Sequence, residues 1–358
     1  MHKLCQYLCY ILYFSLILIT FATASSFQKM EHNKYMNDFI DSTKSFLREN
    51  MQRFTPLIIF LVIFTLLTFL SKYFLTGDNL SAIGVQIAVT VILAIGELMV
   101  IVSGGIDLSG GSVLALSGII TSVMLVQGYS EILSIISGVL MGAGCGFING
   151  FLISKGKLPP FIVTLGMMGV ARGMALIISD GVSISGFSDS FSWWGMGTLF
   201  GGFPVPVFLM IVVSAVGHFI LRYTRFGRLN YAIGSNLEAT RLSGVNVDNY
   251  LIGYYSMSGL LAGFGGIILA SRLSTGQPTA GSGYELEVIA TCVMGGASLR
   301  GGVGTVMGSI VGGLIMGLLR NGSNLLNVSA FWQQVLVGVV IVGAVYWDQH
   351  RQRHMNKS

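Results

Sequence analysis

Charge is scarce in this chain. Only 10% of its 358 residues are Asp, Glu, Lys or Arg, where an ordinary soluble domain carries about 25%. That shortage excludes a conventional water-facing surface. No GxxxxGK[ST] segment occurs, so ATP hydrolysis by this chain is not expected. No HExxH occurs either: His2, His32, His350 and His354 lie toward the ends and His218 stands alone in an apolar run. A catalytic metal site is therefore not expected. The four cysteines, Cys5, Cys9, Cys145 and Cys292, form no CxxC pair. The last two sit in apolar runs, where cysteine behaves as a small hydrophobe, so neither a disulfide framework nor a metal centre is indicated. A net charge of +5 does not call for nucleic acid, because the basic residues gather between apolar runs as the positive-inside rule describes.

What the chain has in abundance is apolar length. It is 53% hydrophobic with a mean hydropathy of +0.75, and its runs approach the roughly 20 residues that cross a bilayer as a helix. The runs are continuous rather than alternating, which selects helices over a barrel. The expected fold is an all-α integral membrane protein, a polytopic bundle of about ten transmembrane helices. The expected spans are 56–75, 81–102, 112–126, 132–153, 161–178, 204–221 and 250–270, a short partial span 288–296, then 303–319 and 330–347. With the N-terminus inside, Lys155 and Lys157, the Arg222–Arg241 interval and the basic tail all fall on the cytoplasmic side, as charge bias requires. The 48 glycines suit close helix packing, notably Gly142-xxx-Gly146-xxx-Gly150 and Gly308-xxx-Gly312.

Four segments follow. Residues 1–29 form an apolar leader ending Phe-Ala-Thr-Ala-Ser-Ser, readable as a signal peptide or an extra helix. Both readings place Lys29, Lys34, Lys44, Arg48 and Arg53 outside, against the positive-inside rule; translation starting at Met30, Met36 or Met51 removes that conflict. Residues 30–55 are then a cytoplasmic N-terminal segment, 56–347 the transmembrane domain with a cytoplasmic polar loop at 222–249, and 348–358 a cytoplasmic tail.

Several polar residues stand out against this background. Glu97 lies among apolar residues in Ala-Ile-Gly-Glu-Leu, and an intramembrane carboxylate needs a cavity or a partner. It is read equally as a pathway residue or as an interhelical hydrogen-bond partner. Asp107 sits in a glycine-rich break. The expectation is a helix cap, with a pathway role as the alternative. Gln277 to Glu287, which includes Tyr284 and Glu285, offers donors and acceptors to a polyhydroxylated solute or an external partner, but also has the chemistry of an ordinary external turn. Gly104–Gly111 and Gly295–Gly302 share the pattern GGxxLxGG; related halves occur in transporters, and glycine-rich turns also match by chance.

The longest polar interval, Gly227 to Val247, contains Asn236-Leu-Glu-Ala-Thr-Arg-Leu-Ser-Gly-Val245. This stretch resembles the coupling loop of ABC importer permeases. Ser103 to Ser109, Leu273 to Leu286, Gly295 to Gly304 and Asn321 to Leu326 are similar to further signatures of the monosaccharide, or ribose import, permeases of bacteria. The resemblance runs from about Met30 or Met51 to the C-terminus. The chain departs from that pattern at Gly110, where an aliphatic residue is usual, and at Glu97, where an uncharged one is. What the resemblance implies is ABC importer permease architecture in the bacterial inner membrane and monosaccharide import, with D-ribose the expected sugar. It also implies a separate ATP-binding subunit that carries ATP and Mg, a periplasmic sugar-binding protein and a second permease subunit, expected as a homodimer. No cofactor is then expected in this chain. Glu238, Ala239 and Gly244 carry over as coupling positions, and Arg241 is either a charged contact to the partner or a positive-inside charge. Glu97 and Asp107 sustain a competing reading, an ion-coupled secondary transporter of a small polar solute. An intramembrane enzyme finds no nucleophile–base or metal pattern.

Overall fold

The computed structural model describes residues 55–329, 331–339 and 342–343. The leader, the N-terminal segment and the tail lie outside the described residues. The contacts below all fall within the unit that begins at Phe60. Helix α1 covers Thr55–Leu70. It is followed by α2 (Gly77–Val102), α3 (Gly110–Val126), α4 (Glu131–Ser154), α5 (Pro160–Ile178), a two-residue strand β1 (Ile184–Ser185) and α6 (Asp189–Met196). A small hairpin, β2 (Thr198–Leu199) with β3 (Phe203–Pro204), leads to α7 (Val205–Tyr223), α8 (Arg225–Ser235) and α9 (Leu237–Leu242). The chain continues as α10 (Val247–Leu273), β4 (Thr275–Gly276), α11 (Tyr284–Met294) and α12 (Val306–Leu325); residues 331–339 are helical.

The all-α membrane architecture is as expected. Among the described residues α2, α4, α5, α7 and α10 are long and apolar enough to cross a bilayer, and α1 and α3 are shorter apolar helices. Three boundaries differ most. The first span ends at Leu70 rather than at 75. Gly77-Asp78-Asn79, which the expected spans leave between helices, is the first turn of α2, because Thr76 takes the Asn79 N–H as a cap at 3.4 Å and Asp78 sits at the positive end of the helix dipole. The span expected over 303–319 begins later and runs on to Leu325.

α2 is the axis of the bundle. Every residue from Ile87 to Val102 is buried in it, and it meets α10, α12, α7 and α11. A helix apolar all round belongs in the interior of a bundle. The most extensive pairing is α4 against α10, and it depends on glycine. A Cβ on Gly142 would meet the Gly259 carbonyl oxygen, one on Gly146 that of Tyr255, and one on Gly150 the Ile252 backbone. Lipid supplies no hydrophobic drive between helices, so packing that removes the space between backbones is what holds such a pair. The expected packing role of these glycines is therefore observed.

Gly144 on the same helix has open space where its Cβ would lie. Gly146→Ala should lower the detergent-solubilised thermal midpoint, with an overpacking cost of about 1–3 kcal/mol, while Gly144→Ala should leave it unchanged or raise it. Equal shifts in a thermal-shift assay would contradict this account of the α4–α10 interface.

Candidate functional site

Two stretches of backbone leave helical form inside the bundle. The first, 103–109, joins α2 to α3. The second, 274–283, begins where α10 ends at Ser274 in the left-handed region (φ 51°) and carries left-handed glycines at 281 and 283. It does not stay at the surface as an external turn. A Cβ on Gly276 would strike Ser122 of α3, and one on Gly111 would meet the Gly281 carbonyl oxygen. The segment therefore descends along α3 from the level of Ser122 to that of Gly111, about 16 Å at the helical rise. Irregular backbone at such depth survives only where protein or a polar cavity satisfies it. α11 starts from this depth and, at 11 residues, is too short to span alone.

Glu97, Asp107 and Glu285 converge on one small cavity. It is walled also by Leu93, Gly110, Gly111, Ser258, Ala262 and Val288. Glu97 and Asp107 are 2% and 3% exposed. Glu97 Oε1 accepts the Asp107 N–H at 3.1 Å. Asp107 Oδ1 accepts from the Ser109 N–H (2.9 Å) and hydroxyl (2.6 Å), and Oδ2 from the Ser258 hydroxyl on α10 (3.1 Å). Asn149 of α4 donates to Ser109 Oγ at 3.0 Å. The expected cap is displaced: Asp107 takes the N–H of Ser109, the residue ahead of the first turn of α3, and Ser109 itself makes no side-chain cap. What Asp107 does is tie the break to α10, since a short carboxylate can satisfy local N–H and a neighbouring hydroxyl together. Glu285 keeps Oε1 on the Gly283 N–H at 3.3 Å, while its Oε2 is buried without a partner. Gly110 and Glu97, where the chain departs from the resemblance, both border this cavity, and Gly110 has nothing within 4 Å of its Cβ position.

Gln277 and Tyr284 lie elsewhere. Gln277 lines a separate cleft between α3 and α10. Tyr284 faces the Arg320 guanidinium, 6.0 Å from its ring centre. Beside it is an ion pair between part-buried Arg320 and buried Glu287 at 2.7 Å, with the Thr90 hydroxyl donating to Glu287 at 3.4 Å. Glu287 belongs to the polar segment singled out in the sequence, whereas Arg172 of α5 and Arg320 were passed over. The signal existed: each is an ionisable residue in or beside an apolar run, costly unless partnered. Arg320 was hidden because the last turns of α12 fell outside the expected span.

The remaining candidates gather at the end of the bundle where Lys155, Arg222 and Arg241 lie. There α8 and α9 leave the bundle. Thr224 caps α8 through the Gly227 N–H (3.2 Å), and Asn236 caps α9 through the Ala239 N–H (2.9 Å). Asn230 and Tyr231 fasten α8 to the Met99 and Gly304 carbonyls at 3.0 and 2.8 Å. Gly244 is left-handed (φ 81°), the conformation glycine adopts without strain just past a helix end. Glu238, Ala239 and Arg241 are exposed, and Leu242 is 86% exposed at the tip. Arg241 bonds Glu238 (3.3 Å) and Asp248 of α10 (3.5 Å), and Lys155 of α4 shares Asp248 at 3.2 Å. The two GGxxLxGG segments meet at this end: the Gly302 N–H donates to the Val102 carbonyl at 2.8 Å, and Gly301 abuts Gly104.

Arg320→Ala leaves the buried Glu287 carboxylate uncompensated, whereas Glu287→Ala leaves a guanidinium that is only part-buried. Both variants should lower the thermal midpoint, Arg320→Ala the more, and the double variant by clearly less than their sum. Additive losses in that cycle would show that the two side chains do not act as a pair.

Residues 79–345 match the model of a family described as the permease component of the branched-chain amino acid transport system. Among curated proteins the chain is 42% identical to the ribose import permease protein RbsC of Escherichia coli K12, over 87% of this chain and 96% of that one. It is 39% identical to the D-allose transport system permease protein AlsC (78% and 85%) and 40% identical to the L-arabinose transport system permease protein AraH (83% and 90%), both also of Escherichia coli K12. No solved structure matches the chain. With the helical bundle and the protruding α8–α9 element, these matches fix the identity: the chain belongs to the ABC importer permease family, in its monosaccharide branch, and is a multi-pass protein of the bacterial inner membrane.

Proposed function

We propose that this chain is the membrane-spanning subunit that carries D-ribose into the cell, energised by a separate ATP-binding subunit and fed by a periplasmic sugar-binding protein. The observation that carries the reading is α9, a capped helix with its apolar tip Leu242 exposed. An exposed leucine beside a polar helix suits a groove on a partner. Through Asp248 the same helix is bonded to α10, and α10 is locked to α4 by glycine contacts. A push on α9 is thereby passed to a rigid pair of spanning helices, the kind of rigid-body motion that switches access between two sides. Glu238, Ala239, Arg241 and Gly244 are the proposed coupling residues, and the permease acts as a homodimer. No ATP-binding loop occurs in the sequence, so hydrolysis with its Mg belongs to the partner.

Ribose is named first because RbsC is a ribose permease and covers most of this chain. The allose and arabinose relatives differ from it by only 2 to 3 percentage points of identity, so they are the competitors to test. The carboxyl groups of Glu97, Asp107 and Glu285 are acceptors suited to sugar hydroxyls on a pathway through or beside the cavity. The same buried carboxyls favour, as a second reading, an ion-driven secondary transporter.

Cells expressing the permease with its neighbouring genes should take up labelled ribose, with unlabelled allose and arabinose competing weakly. Uptake should stop on ATP depletion and persist when the proton gradient alone is collapsed. Loss with the gradient at constant ATP would select the secondary transporter instead. Leu242→Asp should abolish co-purification of the ATP-binding subunit while leaving membrane insertion intact.

A further inference from the structure

α5 touches both helix breaks. At its first turns the Thr164 hydroxyl, fully buried, lies 3.3 Å from the Ile106 carbonyl in the 103–109 break. Two turns further on, Arg172 Nη1 donates to the Pro278 carbonyl at 2.6 Å and to the Ala280 carbonyl at 2.8 Å in the descending segment. Beyond the helix, β1 pairs with β4, placing Ile184 opposite Gly276 and Ser185 opposite Thr275. The descending segment is thus held by Arg172 of this helix and by the strand that follows it.

We infer that Arg172 is a positioning residue for transport: it holds the segment 277–283 against α5, and so fixes where α11 begins and where Glu285 walls the polar cavity. The chemistry explains why a cation is needed here. The carbonyls of Pro278 and Ala280 belong to irregular backbone, and no helix turn satisfies them. A buried carbonyl left bare is costly, and a charged donor makes a stronger bond than a neutral one. The guanidinium supplies two N–H groups from one nitrogen, and the long aliphatic stem lets it reach from an otherwise apolar helix. Most of α5 is exposed on the outside of the bundle, but Thr164, Ala171 and Ala175 are buried along the face next to Arg172. On the other side, Gly281 and Gly111 pack backbone to backbone. The segment is clamped between α3, by absence of side chains, and α5, by Arg172. Losing the arginine releases one wall of the cavity without removing any group that lines it.

The test uses the full permease with its ATP-binding subunit and sugar-binding protein in vesicles, with Cys5 and Cys9 replaced by serine and Ala280→Cys as a reporter. A membrane-impermeant maleimide is added from the side opposite the basic end, and labelling is compared among Arg172, Arg172→Met and Arg172→Lys. Arg172→Met should raise the labelling rate at least about tenfold, the size expected for losing a charge-assisted hydrogen bond. It should lower sugar uptake per ATP hydrolysed by a similar factor while the ATP-binding subunit still co-purifies. Arg172→Lys, which keeps charge and donors, should restore most of both. Wild-type labelling in both variants overturns the assignment whatever the uptake, as does uptake per ATP unchanged in Arg172→Met. The uptake arm rests on the import reading and the labelling arm does not. Raised labelling in a system whose unsubstituted protein carries no sugar overturns that reading and leaves the role of Arg172 standing.

Discussion

Every backbone carbonyl and N–H in the lipid interior must find its partner inside the protein, and this permease satisfies that constraint in two ways. Where the chain is helical the partners are local. Where it is not, over 103–109 and 274–283, nearby backbone and side chains of other elements share the task. Glu97 takes the Asp107 N–H, and Arg172 donates to the Pro278 and Ala280 carbonyls. An unsatisfied amide in hydrocarbon costs several kcal/mol, so each of these side chains carries a structural duty that no apolar residue could meet. The breaks also bring three carboxyl groups to one small cavity at the centre of the bundle.

Glycine makes these arrangements compact. Backbone lies on backbone between α4 and α10, between Gly111 and Gly281, and between Gly295 and Gly308. Such contacts leave little room for sliding, so the helices they join move together. α9 stands at the end of this linkage, exposed and bonded through Asp248 to the α4–α10 pair. The exposed helix at the basic end and the cavity inside are thereby connected through a small number of named contacts.

Legibility differed from residue to residue. The helices α2, α4, α5, α7 and α10 could be read from apolar run length, because the bilayer imposes one minimum length on any spanning helix. Asn236 and Gly244 could be read as helix boundaries because capping is local chemistry. Glu97 and Asp107 were visible as buried carboxyls, but not as neighbours. Their bond at 3.1 Å requires the chain to double back between α2 and α3, and glycines allow such a path without specifying it. Arg172 and Arg320 attracted no attention, because a single cation near an apolar run is also what a helix end at the interface looks like.

By itself the sequence determined the class of the protein, the order of its long helices among the described residues, the basic end and the stretch that resembles a coupling loop. All of these follow from composition and from interactions within a few residues. The tertiary structure decided which polar groups meet. It turned Gln277 to Glu285 from an external loop into a segment that descends along α3 and brings Glu285 to the cavity, moved Asp107 from a cap to a cross-link between helices, and joined Glu287 to Arg320. The physical reason is one of range. Helix propensity, capping and membrane thickness act on neighbouring residues, whereas the partners of a broken helix are chosen by packing between elements that can lie more than a hundred residues apart, as Asp107 and Ser258 or Arg172 and Pro278 do.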